Sequence, residues 1–167
     1  MVHGVGAQPA FPEEFVKSMR GNLIPGGLVI MTLQPGARIL YDARTLPQID
    51  DTVVLGFGRD APLKQSVLFT RGEASREISF RLAPRTYQEQ RINGLPPAYV
   101  SQPEKALEKI KREAAQKRRA RAGASLHLGF GEAFIWPVDG RITGVYGSRR
   151  FYNGEPRRPH YGIDIAT

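Results

Sequence analysis

From Gly27 to Pro84 the chain is a succession of short apolar runs, each closed by turn residues. GLVIMTL (27–33) stops at QPG, ARILYDA (37–43) near Pro47, TVVLGFG (52–58) at RDAP, QSVLFT (65–70) at RGE, and REISFRLA (76–83) at Pro84. β-Branched and aromatic residues dominate these runs, as they do in strands. The last run alternates strictly, with Ile78, Phe80 and Leu82 on one face and Glu77, Ser79 and Arg81 on the other, the mark of a half-buried strand. Five such runs predict a small antiparallel sandwich or barrel, an accessory β domain over residues 27–100. Residues 1–26, with one apolar-acidic cluster at Phe11, Phe15, Val16 and Met19, read as a lead-in containing a single helical turn.

The pattern changes twice after Pro84. RTYQEQRINGLPPAYVSQPEK carries NG, PP and QP steps and reads as irregular chain leaving the β domain. Residues 101–125 then form a basic linker helix: from Glu104 to about Ala122, Leu107, Ile110 and Ala114 recur at helical spacing, Ser101 and Pro103 can start the helix, and Gly123 can end it. Between 104 and 121 stand eight Lys+Arg and three Glu, with the glutamates early and KRRAR late, which complements the helix dipole. From residue 126 the β texture returns. EAFIWPV and GRITGVYG, separated by Asp139-Gly140, predict a hairpin.

Composition narrows the chemistry. The 167 residues carry 24 Lys+Arg against 16 Asp+Glu, a net charge of +8, which favours an anionic partner without choosing among nucleic acid, membrane surface and cell-wall polymer. The basic helix lacks interleaved aromatics, which argues against a single-strand nucleic-acid platform. With no cysteine, any metal must be held by His, Asp or Glu. The first residues lack the charged region and apolar run of a signal peptide, and no apolar stretch approaches the roughly 20 residues of a membrane span.

The densest chemistry is in NGEPRRPHYGIDIAT, residues 153–167, where His160 and Asp164 stand four apart. Imidazole and carboxylate are ordinary zinc ligands. Pro159 and Gly162 disfavour a helix here, and in a straight strand the two Cα atoms would be about 13 Å apart. To meet on one ion the chain must bend between them, and Gly162 is expected to permit the bend. By itself this pair favours the plainer reading, an exposed histidine with an aspartate that caps a turn.

The surrounding residues resemble a known family. Trp136, Pro137, Gly140, Ile142, Thr143, Tyr146, Gly147, Arg149, His160, Gly162 and Asp164 fall in order on the opening of the catalytic domain of the lysostaphin-type (LytM-like) zinc metallopeptidases, which cut peptidoglycan. The upstream part, with GFGRD and RTYQEQRINGLPPAYV, is similar to envelope members in which an immunoglobulin-like module precedes the peptidase. The resemblance implies a mainly β protein: an immunoglobulin-like N-terminal module, a linker helix, and over residues 126–167 the first part of an antiparallel β peptidase domain. It implies a Zn2+ cofactor on His160, Asp164 and a second histidine from a later H-x-H motif. That motif and the catalytic histidine are expected after Thr167, so these 167 residues alone are expected to be inactive. His3 and His127 belong to no H-x-H.

The same resemblance implies hydrolysis of peptide cross-links in bacterial peptidoglycan, in the periplasm or the extracellular envelope. Arg149 sits at a motif position, Asn153 lies in a loop bordering the implied groove, and Tyr146 fits its wall; these are the candidate substrate-binding residues. Trp136 is expected to pack in the core or groove wall. Two alternatives remain, together with one further expectation for the upstream segment. A LytM-like regulator would bind and activate other cell-wall hydrolases without catalysis, although it would have no need of both His160 and Asp164. A nucleic-acid-binding protein would rest on charge alone. QRINGLPPAY could also cover the metal groove, as upstream segments do in zymogen-like relatives.

Overall fold

A computed structural model of the chain describes residues 11–96, 104–123, 129 and 132–167. His3 and His127 lie outside these residues. The fold is mainly antiparallel β, as the patterning predicts, and it divides into two compact units, Met1–Thr86 and Tyr87–Thr167.

The first unit has eight strands: β1 (Val16–Gly21), β2 (Leu28–Leu33), β3 (Ala37–Tyr41), β4 (Arg44–Thr45), β5 (Gln48–Ile49), β6 (Thr52–Gly56), β7 (Lys64–Arg71) and β8 (Ala74–Arg81). They form two four-stranded antiparallel sheets, in the orders β1-β2-β6-β5 and β4-β3-β7-β8. Alternate residues of both sheets point into one core. Val29, Met31 and Leu33 of β2 and Val53 and Leu55 of β6 meet Ala37 and Ile39 of β3 and Val67 and Phe69 of β7, all buried. The run predicted from REISFRLA behaves as its alternation requires: Phe80 and Leu82 are buried and Ile78 packs against the cluster.

The lead-in contains the expected turn and then a strand that the sequence pattern did not indicate. The residues after Phe11 form a turn closed by Phe15 and Val16 amides on the Pro12 carbonyl, and Val16–Gly21 is then a strand paired with β2. Phe11 and Phe15 belong to the core. Phe11 stands edge-on to Phe69 and Phe80, at 5.7 and 5.6 Å between centroids, and Phe15 stacks on Phe69 at 5.7 Å. The i→i+3 and i→i+4 bonds to the Pro12 carbonyl are those of the single helical turn expected here, and the aromatic cluster it presents is a large part of the local apolar burial. β3 also ends earlier than its apolar run suggests, because Asp42 and Ala43 both take positive φ, at 49° and 58°, and make the tight turn into β4.

The second unit contains β9 (Glu89–Ile92), α1 (Glu104–Ala122), β10 (Arg141–Gly144), β11 (Arg149–Tyr152), β12 (Glu155–Arg157) and β13 (Asp164–Ala166). Helix α1 falls where the periodicity places it, with Arg119 and Arg121 in its last turn. Leu107 and Ile110 remain 44% and 41% exposed. Two other expectations change. Glu89–Ile92, read as irregular chain, pairs in parallel with β11, while β11 and β12 form an antiparallel hairpin. The predicted EAFIWPV hairpin does not form: β10 pairs instead with β13, and Phe134, Ile135 and Trp136 are 82%, 90% and 62% exposed.

Candidate metal centre

The motif residues are placed by backbone before any side chain acts. Val145–Ser148 is a tight turn in which the Ser148 amide donates to the Val145 carbonyl at 3.4 Å and Gly147 adopts φ 88°. That φ favours glycine, and a Cβ there would also meet the Tyr87 ring at 2.0 Å. Buried Ser148 fixes the turn again by donating its hydroxyl to the Val145 carbonyl at 2.9 Å. His160 docks on this turn through its backbone: its carbonyl accepts from the Gly147 amide at 2.7 Å and its amide donates to the Ser148 carbonyl at 3.0 Å. The Tyr-Gly-Ser stretch thus sets the position of a histidine thirteen residues downstream of Gly147.

Asp164 is set by the other sheet. It opens β13 opposite Gly144 of β10, beside a register shift between Ile142 and Gly144, and the Thr143 hydroxyl donates to its carbonyl at 3.4 Å. Gly144 matters because a Cβ there would stand 2.6 Å from Asp164 Oδ2 and 3.1 Å from its carboxyl carbon. Gly140 serves similarly at the end of the pair, where a Cβ would lie 2.2 Å from the Ala166 carbonyl oxygen.

Between these two supports the chain bends at Gly162, and His160 and Asp164 meet. His160 Nε2 lies 3.2 Å from Asp164 Oδ1, with the imidazole 13% exposed and the carboxylate 48%. Nε2 is buried yet makes no hydrogen bond, since the approach to Oδ1 is close without having hydrogen-bond direction. A nitrogen lone pair and a carboxylate oxygen held this close are reconciled by an electrophile between them, a proton or a metal cation. The donor types and their convergence therefore fit two ligands of a zinc site. No cluster of three metal-binding side chains occurs among the described residues.

Gly162 does its work differently from the expectation. Its φ lies outside the left-handed region, and a Cβ would touch only the His160 ring, at an ordinary 3.7 Å. Gly162→Ala is accordingly expected to change stability by no more than about 1 kcal/mol, a value that denaturant unfolding would measure.

The candidate substrate-binding residues each have their own partners. Arg149 is exposed, its amide donating to the Gln88 carbonyl at 2.8 Å and its guanidinium 4.0 Å from Glu89. Asn153 and Gly154, at φ 50° and 84°, form the predicted turn between β11 and β12. Both ends of the Asn153 amide are engaged with Leu95: Nδ2 donates to its carbonyl at 2.8 Å and Oδ1 accepts from its amide at 3.0 Å. Tyr146 packs edge-on to Tyr161 at 6.0 Å, and the Arg158 guanidinium lies 5.2 Å from the Tyr161 ring centre. Trp136, expected in the core or the groove wall, is not in the core.

One group close to the pair reads in the sequence only as one of four arginines flanking the loop that could meet substrate carboxylates, not as a partner of Asp164. Arg150 donates from an Nη to Asp164 Oδ2 at 2.6 Å and from Nε to Gln90 Oε1 at 3.0 Å. Its only signal in the sequence was membership of an arginine-rich loop.

No family model matches the chain, and no curated protein does. Among solved structures the chain is similar to a crystal structure from Pseudomonas aeruginosa that carries the provisional description peptidase M23, with 20% sequence identity and a TM-score of 0.43. The match covers 75% of this chain and 52% of that one, so the chain spans about half the length of that structure.

Proposed function

We propose that the second unit contributes a zinc-binding half-site to an endopeptidase that hydrolyses peptide cross-links of bacterial peptidoglycan in the cell envelope. The observation that carries this reading is the buried, hydrogen-bond-free Nε2 of His160 held 3.2 Å from a carboxylate oxygen of Asp164. His160 and Asp164 would hold the metal, and the reading calls for a further histidine ligand and a proton-transferring histidine besides them. Bound zinc supplies Lewis acidity and a water of lowered pKa, the chemistry that amide hydrolysis needs near neutral pH.

The chain's own residues orient and hold. The Val145–Ser148 turn holds the His160 backbone, β13 carries the carboxylate, and the arginines at 149, 157 and 158 would add positive charge for carboxylate-bearing stem peptides. The net charge of +8 suits an anionic partner of this kind without selecting it.

The test is digestion of purified peptidoglycan by the full-length protein that contains this sequence, with released peptides analysed by mass. Cross-link cleavage is expected to require zinc and to vanish in both His160→Ala and Asp164→Ala. Equal cleavage in either variant would reject the assignment of that residue.

A further inference from the structure

Asp164 has two oxygens, and the structure gives them different neighbours. Oδ1 faces His160 Nε2, while Oδ2 receives the Arg150 guanidinium. Arg150 is itself held: its side chain is 21% exposed, and its Nε donates to Gln90 Oε1. Gln90 lies on β9, sixty residues earlier, in the segment that the sequence presents as a connection.

That segment is anchored at several points. Gln90 stands opposite Arg150 in the parallel β9–β11 register. The Arg149 and Asn153 amides donate to the Gln88 and Ile92 carbonyls at 2.8 and 2.9 Å, and the Asn153 side chain grips Leu95. The Arg91 guanidinium lies 4.2 Å from the centre of the Phe151 ring, a cation–π contact. Together these contacts hold Gln90 where its side chain can grip a guanidinium that in turn grips Asp164. We propose that Arg150 is the positioning residue for Asp164 and that Gln90 aims it, so that β9 is a working part of the metal half-site.

The physical argument is one of geometry against charge. A guanidinium is a planar fork whose donors diverge in fixed directions, so it can accept alignment from Gln90 at Nε and deliver it to Oδ2. With Oδ2 engaged, the carboxylate is left to offer Oδ1 alone toward the imidazole, which favours one-oxygen coordination. Partners that orient a ligand in this way typically alter metal affinity by 10- to 100-fold on removal. Charge acts in the opposite direction: loss of a cation near the site would strengthen binding of another cation. The two effects therefore predict opposite signs.

This inference rests on the reading of His160 and Asp164 as ligands, and the test separates the two. Full-length protein labelled with nitrogen-15 is followed through the His160 imidazole resonances, first without metal and then during titration with cobalt(II). Without metal, Arg150→Met and Gln90→Leu are both expected to move the His160 resonances, and Gln90→Glu, which keeps an acceptor for Nε, is expected to leave them near wild type. With cobalt, apparent affinity is expected to fall about tenfold in Arg150→Met and by a smaller factor in Gln90→Leu. Arg150→Lys is expected not to rescue, because an ammonium lacks the fork. Tighter cobalt binding in Arg150→Met would overturn the proposal. So would Gln90→Leu resonances and affinity identical to wild type while Asp164→Asn changes both. Absence of any cobalt effect in the wild-type protein would instead reject the metal reading, and the metal-free resonances would still decide the positioning role.

Discussion

Phe69→Ala is expected to lower the stability of the first unit by about 3–5 kcal/mol, the cost usual for truncating a buried aromatic ring. Phe69 is fully buried at the middle of β7 and contacts both Phe11 and Phe15. Its removal takes away apolar burial, two ring pairings and the surface on which the segment before β1 is packed. The substitution creates a cavity between two four-stranded sheets, and neither can close on it without giving up the interdigitation of β2, β3, β6 and β7. Chemical denaturation followed by hydrogen exchange would measure the loss. Residues 11–82 should lose protection at lower denaturant, and the amides around Gly147 and His160, which belong to the other unit, should change less.

Gly144→Val is expected to have its largest effect on the half-site. The new Cβ would stand 2.6 Å from Asp164 Oδ2, closer than nonbonded atoms approach. The atom it meets is the end of a side chain, so the strand pair can survive if the carboxylate swings away. That swing breaks the 2.6 Å contact with Arg150 and removes Oδ1 from His160 Nε2. Valine favours strand backbone, so propensity does not oppose the change even though position 144 is buried. The expected result is a protein with near-native circular dichroism and a loss of zinc affinity approaching that of Asp164→Ala. Calorimetric titration would check it, and retention of wild-type affinity would show that the carboxylate position is immaterial.

The parts that were legible in the sequence are those whose information is local. β2, β3, β6, β7 and β8 follow from alternation bounded by turn residues, α1 from helical spacing, and the Asn153-Gly154 turn from residues that tolerate positive φ. His160 and Asp164 are visible for the same reason, since four residues and one bend bring them together.

What was missed depends on distant partners. EQRI at 89–92 has no apolar alternation, and it becomes a strand because β11 supplies backbone partners some sixty residues away. Phe11 and Phe15 lie outside any strand, and only the completed sandwich offers them a core. The Asp139-Gly140 step looked like a hairpin turn, whereas Gly140 is needed for its close approach to the Ala166 carbonyl. Arg150 was indistinguishable from its neighbours in RRFYNGEPRR until the fold placed Gln90 and Asp164 on either side of it.

X-ray absorption at the zinc edge of the metal-loaded full-length protein addresses the central claim most directly. The expected spectrum contains an imidazole nitrogen and a carboxylate oxygen at about 2.0–2.2 Å, with the nitrogen contribution reduced in His160→Ala and the oxygen contribution reduced in Asp164→Ala. A zinc environment identical in the wild-type protein and both variants would contradict it.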